Sequence, residues 1–100
     1  MDKNEHQPFI SIIVPVFNQE RFIGRCLRSL LSQTMNKAHY EIIVVNDGST
    51  DRTDYALELF HDAITTVTNE KNLGLPASIN RGIKAASSDY IIRVDSDDYV

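Results

Sequence analysis

Cysteine occurs once, at Cys26, which excludes an intrachain disulfide and a cysteine-rich zinc site and suits a reducing compartment such as the cytoplasm. Basic residues are in deficit, ten Lys and Arg against fourteen Asp and Glu, for a formal net charge of −4 at pH 7. That balance disfavours binding of nucleic acid or anionic membrane through a general basic surface. A phosphorylated ligand would therefore need local help, from a cation or from backbone amides. No apolar run approaches the roughly 20 residues of a membrane span. The opening "MDKNEHQP" has no signal-peptide pattern and reads as a polar tail over residues 1–8. His6, His39 and His61 are scattered and suggest no metal cluster. The G-x-G-x-x-G and Walker patterns are missing, so dinucleotide and P-loop chemistry lack support. Internal repeats and low-complexity segments are also absent.

What is present is 42% hydrophobic content in 100 residues, enough for one core in one small domain. Two kinds of segment alternate. "FISIIVPVF" and "YEIIVVN" are near-continuous apolar runs, as expected of strands buried on both faces. "RFIGRCLRSLLSQ" places Ile23, Leu27, Leu30 and Leu31 at helical spacing, with Asn18 and Glu20 suited to its start and Cys26 on its apolar side. "STDRTDYALELF" reads as a second helix, with Ser49 or Thr50 available as N-cap and Asp51 favourable in the first turn. "AITTVTN" is a shorter, more polar strand, expected at a sheet edge. "LPASINRGIKAA" is a third helix with Pro76 in its first turn, where the missing amide proton does no harm. "DYIIRV" is a fourth strand. The order β-α-β-α-β-α-β predicts an α/β fold of three layers, an open, mainly parallel sheet with helices on both faces. Ligands of such sheets bind beyond the carboxyl ends of the strands, at the switch in strand order. Strand one ends in "PVFN", strand two in "VNDGSTD" and strand four in "VDSDD", so three polar clusters should meet at one edge.

In "DSDD", strand alternation puts Asp95 and Asp97 on one side, and Asp98 adds a third carboxylate. A solvated turn with capping aspartates explains an isolated D-x-D. Carboxylates gathered at a strand tip repel each other unless a cation neutralises them. Mg²⁺ and Mn²⁺ suit that role, because one or two carboxylates plus substrate phosphates complete their coordination. In "NDGSTD", turn and helix-start chemistry accounts for most residues. An EF-hand loop is excluded although Asp47, Ser49, Asp51 and Glu58 have its spacing: Arg52 stands where glycine is needed, and a buried strand precedes it. Asp47 itself, a carboxylate at the end of a central strand, is placed to accept a hydrogen bond from a ligand donor such as the imide N–H of uracil. Pro15 removes a ladder donor from strand one. It reads either as a local irregularity or as an early strand end that opens a crevice, with Phe17 available to face a ring.

The ordered blocks "SIIVPVFNQERFIGRCLRSLLSQT", "EIIVVNDGSTDRT", "NLGLPASINRGI" and "DYIIRVDSDDY" resemble the family 2 glycosyltransferases, inverting enzymes of GT-A fold that use nucleotide-diphospho-sugars. The resemblance runs from about Phe9 to the end. It implies that Pro15, Phe17 and Asn18 match the P-x-[YF]-N block lining the nucleobase and ribose pocket. Asp47 matches the aspartate that reads the uracil edge, and Asn72 a donor-contacting asparagine. Asp95, Ser96 and Asp97 match the D-x-D motif, with Asp97, and Asp95 beside it, assigned to Mg²⁺ or Mn²⁺ on the diphosphate. Arg93 often accompanies this form of the motif. Ile79 stands before Asn80 where many relatives carry arginine, and Arg81 is close but not equivalent. The resemblance further implies sugar transfer from a UDP-sugar to a glycan or lipid-linked glycan, in the cytoplasm or at its membrane face through other segments or partners. In this family the acceptor site and catalytic base follow the D-x-D block. Residues 9–100 are therefore expected to be the donor-binding part of a longer protein, with no catalytic base of their own. Expressed alone they should transfer no sugar, be marginally stable and self-associate through uncovered apolar surface. The alternatives are a non-catalytic nucleotide-binding or assembly module, and a phosphoacceptor receiver domain. The receiver domain is disfavoured because strand three leads into "TNEKN" rather than to an acceptor aspartate.

Overall fold

The computed structural model describes residues 9–33 and 39–97. The expected polar tail over 1–8 and Asp98 lie outside the described residues. The elements are β1 (Ile10–Val16), α1 (Ile23–Leu31), β2 (Tyr40–Asp47), α2 (Thr53–Glu58), β3 (Thr65–Asn69), α3 (Leu75–Ala85) and β4 (Ile91–Arg93). The strands form one sheet in the order β3-β2-β1-β4, and every pairing is parallel. The polar strand β3 is at an edge, as its composition predicts.

The chain first steps from β1 to β2 to β3, then returns across the sheet to β4. Right-handed crossovers put helices made on the outward steps on one face, and the helix of the return step on the other. Side-chain alternation serves both faces. Val14, Val16, Ile42 and Val44 pack with Ile23, Cys26, Leu27 and Leu30 of α1 and Leu57 of α2. Ile13, Ile43 and Val45 pack with Val67, Ile79 and Ala86 on the α3 side. Here α3 lies close to the sheet because Gly82 has no side chain: a Cβ there would come within 2.6 Å of Ile13 Cγ2. β4 has only three residues, and Ile91 and Ile92 are 37% and 46% exposed. No helix among the described residues is long and apolar enough to cross a membrane.

Pro15 does not end β1 early. The strand runs on to Val16, with Pro15 opposite Val45 and Val16 opposite Asn46. The proline is tolerated because of the side its missing N–H would face. Ser11 N–H donates to the Tyr90 carbonyl and Val94 N–H to the Ile13 carbonyl, so odd-numbered β1 residues turn their backbone groups toward β4. Pairing with β4 stops at Ile13 opposite Arg93. The missing N–H therefore falls on the β4 side, and the ladder to β2 continues past Pro15. The irregular residue thus sits where β1 and β4 part.

The helix starts also differ from expectation. α1 begins at Ile23 and α2 at Thr53, and neither has a side-chain cap on its N-cap residue. Asn18, Ser49 and Thr50 act between loops instead. Asn18, at φ 53°, accepts at Oδ1 from Thr50 N–H (2.8 Å) and Asp51 N–H (3.3 Å), while its own N–H donates to Ser49 Oγ. Glu20 Oε1 accepts from Arg52 N–H at 3.0 Å, and Asp51 Oδ1 accepts from Thr53 N–H at 2.9 Å. α3 matches its sequence pattern, with Pro76 in its first turn.

Candidate functional site

At the carboxyl ends of the strands lies an open crevice of about 480 Å³. It sits where the strand order switches, between the tips of β1 and β4 and beside the start of α3. Pro15, Asp47 and Arg93 reach it from three different strands. All three share the odd parity of Ile13, Ile43 and Val45, so they project on the α3 side of the sheet. Phe17, Asn72, Asp95, Ser96 and Asp97 also line the crevice. Of the residues expected in the site, Asn18 alone is not part of the lining: its side chain ties the β1–α1 loop to the β2–α2 loop. Gln19, Ser78 and Arg93 line it as well.

Asp47 is 4% exposed and held from three directions. Its Oδ1 accepts from Leu73 N–H and Asn69 Nδ2, both at 2.8 Å, and its Oδ2 accepts from Gly74 N–H at 2.9 Å. Burial pushes the Asp47 pKa up, but bonds from Leu73, Asn69, Gly74 and Ser78 together outweigh it and hold the carboxyl below its ordinary value. The group is therefore a fixed anion at the crevice wall. Asn69 is itself fixed by chemistry at both ends: Arg81 Nη1 donates to its Oδ1 at 2.8 Å. A guanidinium only donates and a carboxylate only accepts, so the amide NH₂ must face Asp47. Arg81, the arginine closest to the family's third-block position, is thus engaged with Asn69. The turn after β2 comes against this segment: Gly48 has φ 70°, and a Cβ there would meet the Lys71 carbonyl carbon at 2.4 Å.

The acidic tip is built differently. Arg93 Nε donates to Asp95 Oδ1 at 2.9 Å, and Nη2 approaches the same oxygen at 2.8 Å. Cys26, buried under the segment, directs Sγ to the Asp95 carbonyl oxygen at 3.8 Å. Among the described residues no group of three His, Cys, Asp or Glu side chains gathers into a cage for a metal ion. Asp95 and Asp97 instead border the crevice as a set of two carboxylates. That set fits a hard divalent cation whose remaining ligands are phosphate oxygens and water. The role of Arg93 escaped the sequence reading. Its signal was an R-x-D spacing at the end of a strand, which puts both side chains on one side while the backbone stays extended. Asn69 and Arg81 had no such local signal, since their pairing depends on how α3 crosses β3.

Residues 11–100 match the family described as Glycosyl transferase family 2. The chain belongs to that family. It is 48% identical over 95 residues to "Uncharacterized glycosyltransferase EpsJ" of Bacillus subtilis (strain 168), covering 93% of this chain and 27% of that protein. It is 37% identical to "Poly(ribitol-phosphate) beta-N-acetylglucosaminyltransferase TarS" of Staphylococcus aureus (strain MW2), covering 90% of this chain and 16% of that one. In three dimensions it is similar to S. aureus TarS 1-349 in complex with UDP, with TM-score 0.84 and 36% identity over 90% of this chain and 28% of the other. It is also similar to the mannosyltransferase PcManGT from Pyrobaculum calidifontis in complex with GDP-Man and Mn²⁺, with TM-score 0.85 and 25% identity over 91% of this chain and 28% of that one. The chain thus spans about a quarter of the length of EpsJ and of these structures. The fold of this glycosyltransferase family member is the GT-A type expected from its blocks.

Proposed function

We propose that residues 9–97 bind the nucleotide-diphospho-sugar donor, a UDP-sugar, for transfer to a hydroxyl of a glycan or lipid-linked glycan. The reading rests above all on the single crevice that Phe17, Asp47, Asn72, Asp95 and Asp97 share. Phe17, 43% exposed, offers a ring face to the base. Asp47 accepts an N–H from the uracil edge, which cytosine lacks at that position. Asn72 meets the donor beside the start of α3. Asp97 and Asp95 hold Mg²⁺ or Mn²⁺, which when bound would offset charge on the departing diphosphate. Several relatives named above are glycosyltransferases, and the two complexes contain UDP in one and GDP-Man with Mn²⁺ in the other. We assign the base that activates the acceptor hydroxyl to no residue of this chain. We assign the reaction to polysaccharide biosynthesis in the cytoplasm. The half-exposed Ile91 and Ile92 favour pairing of the isolated chain with a second copy, which concentration-dependent light scattering reads directly.

The test is a calorimetric titration with UDP in Mn²⁺ and in EDTA. Binding should be tighter with Mn²⁺, and Asp97→Ala should remove most of the difference. Superimposable curves with and without metal would overturn the assignment of the acidic tip.

A further inference from the structure

Arg93 is paired with Asp95, one of the two carboxylates assigned above to the metal. Both Arg93 contacts fall on Oδ1 of Asp95, at 2.9 and 2.8 Å, so the fork takes one oxygen and leaves Oδ2 unclaimed by Arg93. The two side chains are 47% and 48% exposed, and Arg93, Asp95 and Asp97 border the same crevice. In charge, the two carboxylates and the guanidinium sum to −1. Asp47, which also lines the crevice, is already bound by the Leu73 and Gly74 amides and by Asn69. A divalent cation approaching the nucleotide-free crevice therefore meets a cation already seated on one of its two protein ligands. A diphosphate changes this balance. It brings further negative charge and the oxygen ligands that a hard cation needs, and it offers the donor-only guanidinium an alternative acceptor.

From this geometry we infer that Arg93 makes metal capture contingent on nucleotide. Seated on Asp95, it weakens the affinity of the empty crevice for a free divalent ion, so that the ion enters together with the diphosphate. Arg93 is thus a positioning residue of the donor site. The inference rests on the metal–diphosphate reading and adds to it an order of binding. A purely structural role for the ion pair makes no such demand, because Arg93 lies on an edge strand with its side chain half in water.

Mn²⁺ binding is measured by the electron paramagnetic resonance signal of the free ion, with and without UDP, on the wild type, Arg93→Met, Arg93→Gln and Arg93→Lys. Repulsion between a dication and a half-exposed guanidinium a few Å away sets the expected scale, about ten-fold in affinity. Arg93→Met and Arg93→Gln should bind Mn²⁺ about ten-fold more tightly than the wild type without nucleotide, and their gain from added UDP should shrink. Arg93→Lys keeps the charge and should behave as the wild type. Asp98, outside the described residues, is common to every variant. Unchanged or weaker nucleotide-free Mn²⁺ binding in both neutral variants, with melting curves showing them folded, would overturn the inference. The underlying reading fails separately: Asp97→Ala would then retain Mn²⁺-dependent UDP binding.

Discussion

Replacing Asp47 by alanine removes the acceptor of the Leu73 and Gly74 amides and of Asn69 as well as a wall of the crevice. Buried donors left without partners cost about 1–3 kcal/mol, so urea unfolding of Asp47→Ala should show a loss of that size. A charge-assisted hydrogen bond to the base is worth about 1.5–3 kcal/mol, so the same variant should also lose a UDP-over-CDP preference of about ten-fold while keeping its Mn²⁺ requirement. Stability lost with base discrimination intact would show that Asp47 only braces the start of α3. Acid should act on the same carboxylates. Burial raises the Asp51 pKa, but bonds from Thr53 and from the Glu20 amide outweigh it, and Asp51, like Asp47, titrates below its ordinary value. Folded, both groups bind protons more weakly than the unfolded chain does. Their stabilisation is therefore complete above the unfolded pKa of about 3.9 and is lost as pH falls through the lower folded values. Melting temperature should drop steeply below about pH 4, and less steeply in Asp51→Asn, when both are followed by circular dichroism.

Among the elements, α3 sets up the sharpest conflict between local preference and packing. Alanine for Gly82 gains about 1 kcal/mol of helix propensity. Its Cβ would stand 2.6 Å from Ile13 Cγ2 and 3.2 Å from Val45 Cγ2, in a core where Ile13 and Val45 are fully buried. Overpacking of that kind costs about 1–3 kcal/mol, so Gly82→Ala should be destabilising on balance, by up to about 2 kcal/mol in urea unfolding. A more stable variant would mean that α3 can lift off the sheet at little cost. The elements themselves were readable because the pattern is local: "SIIVPV" and "EIIVVN" are short, β-branched apolar runs that read as buried strands, and Ile23, Leu27 and Leu30 share one helix face. The tips of β1, β2 and β4 met at one edge for the same reason, since parallel strands end together. Contacts between distant segments were not readable. Asn18 looked like a helix cap and proved to hold a loop 32 residues away. Asp47 read as an acceptor for a ligand, and its bonds to Leu73 and Gly74, 26 and 27 residues on, had no local signal. Pro15 read either as a local irregularity or as an early strand end, because its consequence depends on which neighbour its missing N–H faces.

Taken whole, the molecule is stable in its middle and weak at the edge that forms the site. Ile13, Val14, Ile43, Val44 and Val45 are fully buried between two helix layers. β4 pairs with β1 through only three residues, and its Ile91 and Ile92 are partly in water. Local opening should begin there, well below the free energy of global unfolding. In native-state hydrogen exchange, the Ile92 and Val94 amides, which face β1, should exchange through such openings, while those of Ile43 to Val45 should follow global unfolding. Ligand should redistribute this protection, because the crevice spans the tip of β1 and the acidic segment after β4. A ligand bound only when β4 is docked stabilises that docking by about 2.7 kcal/mol at one hundred times its dissociation constant. UDP with Mn²⁺ should therefore slow exchange at Ile92 and Val94 about a hundred-fold. The β3 amides, at the far edge of the sheet, should change much less. Equal slowing in β3 and β4 would place the ligand elsewhere or make the whole sheet one opening unit.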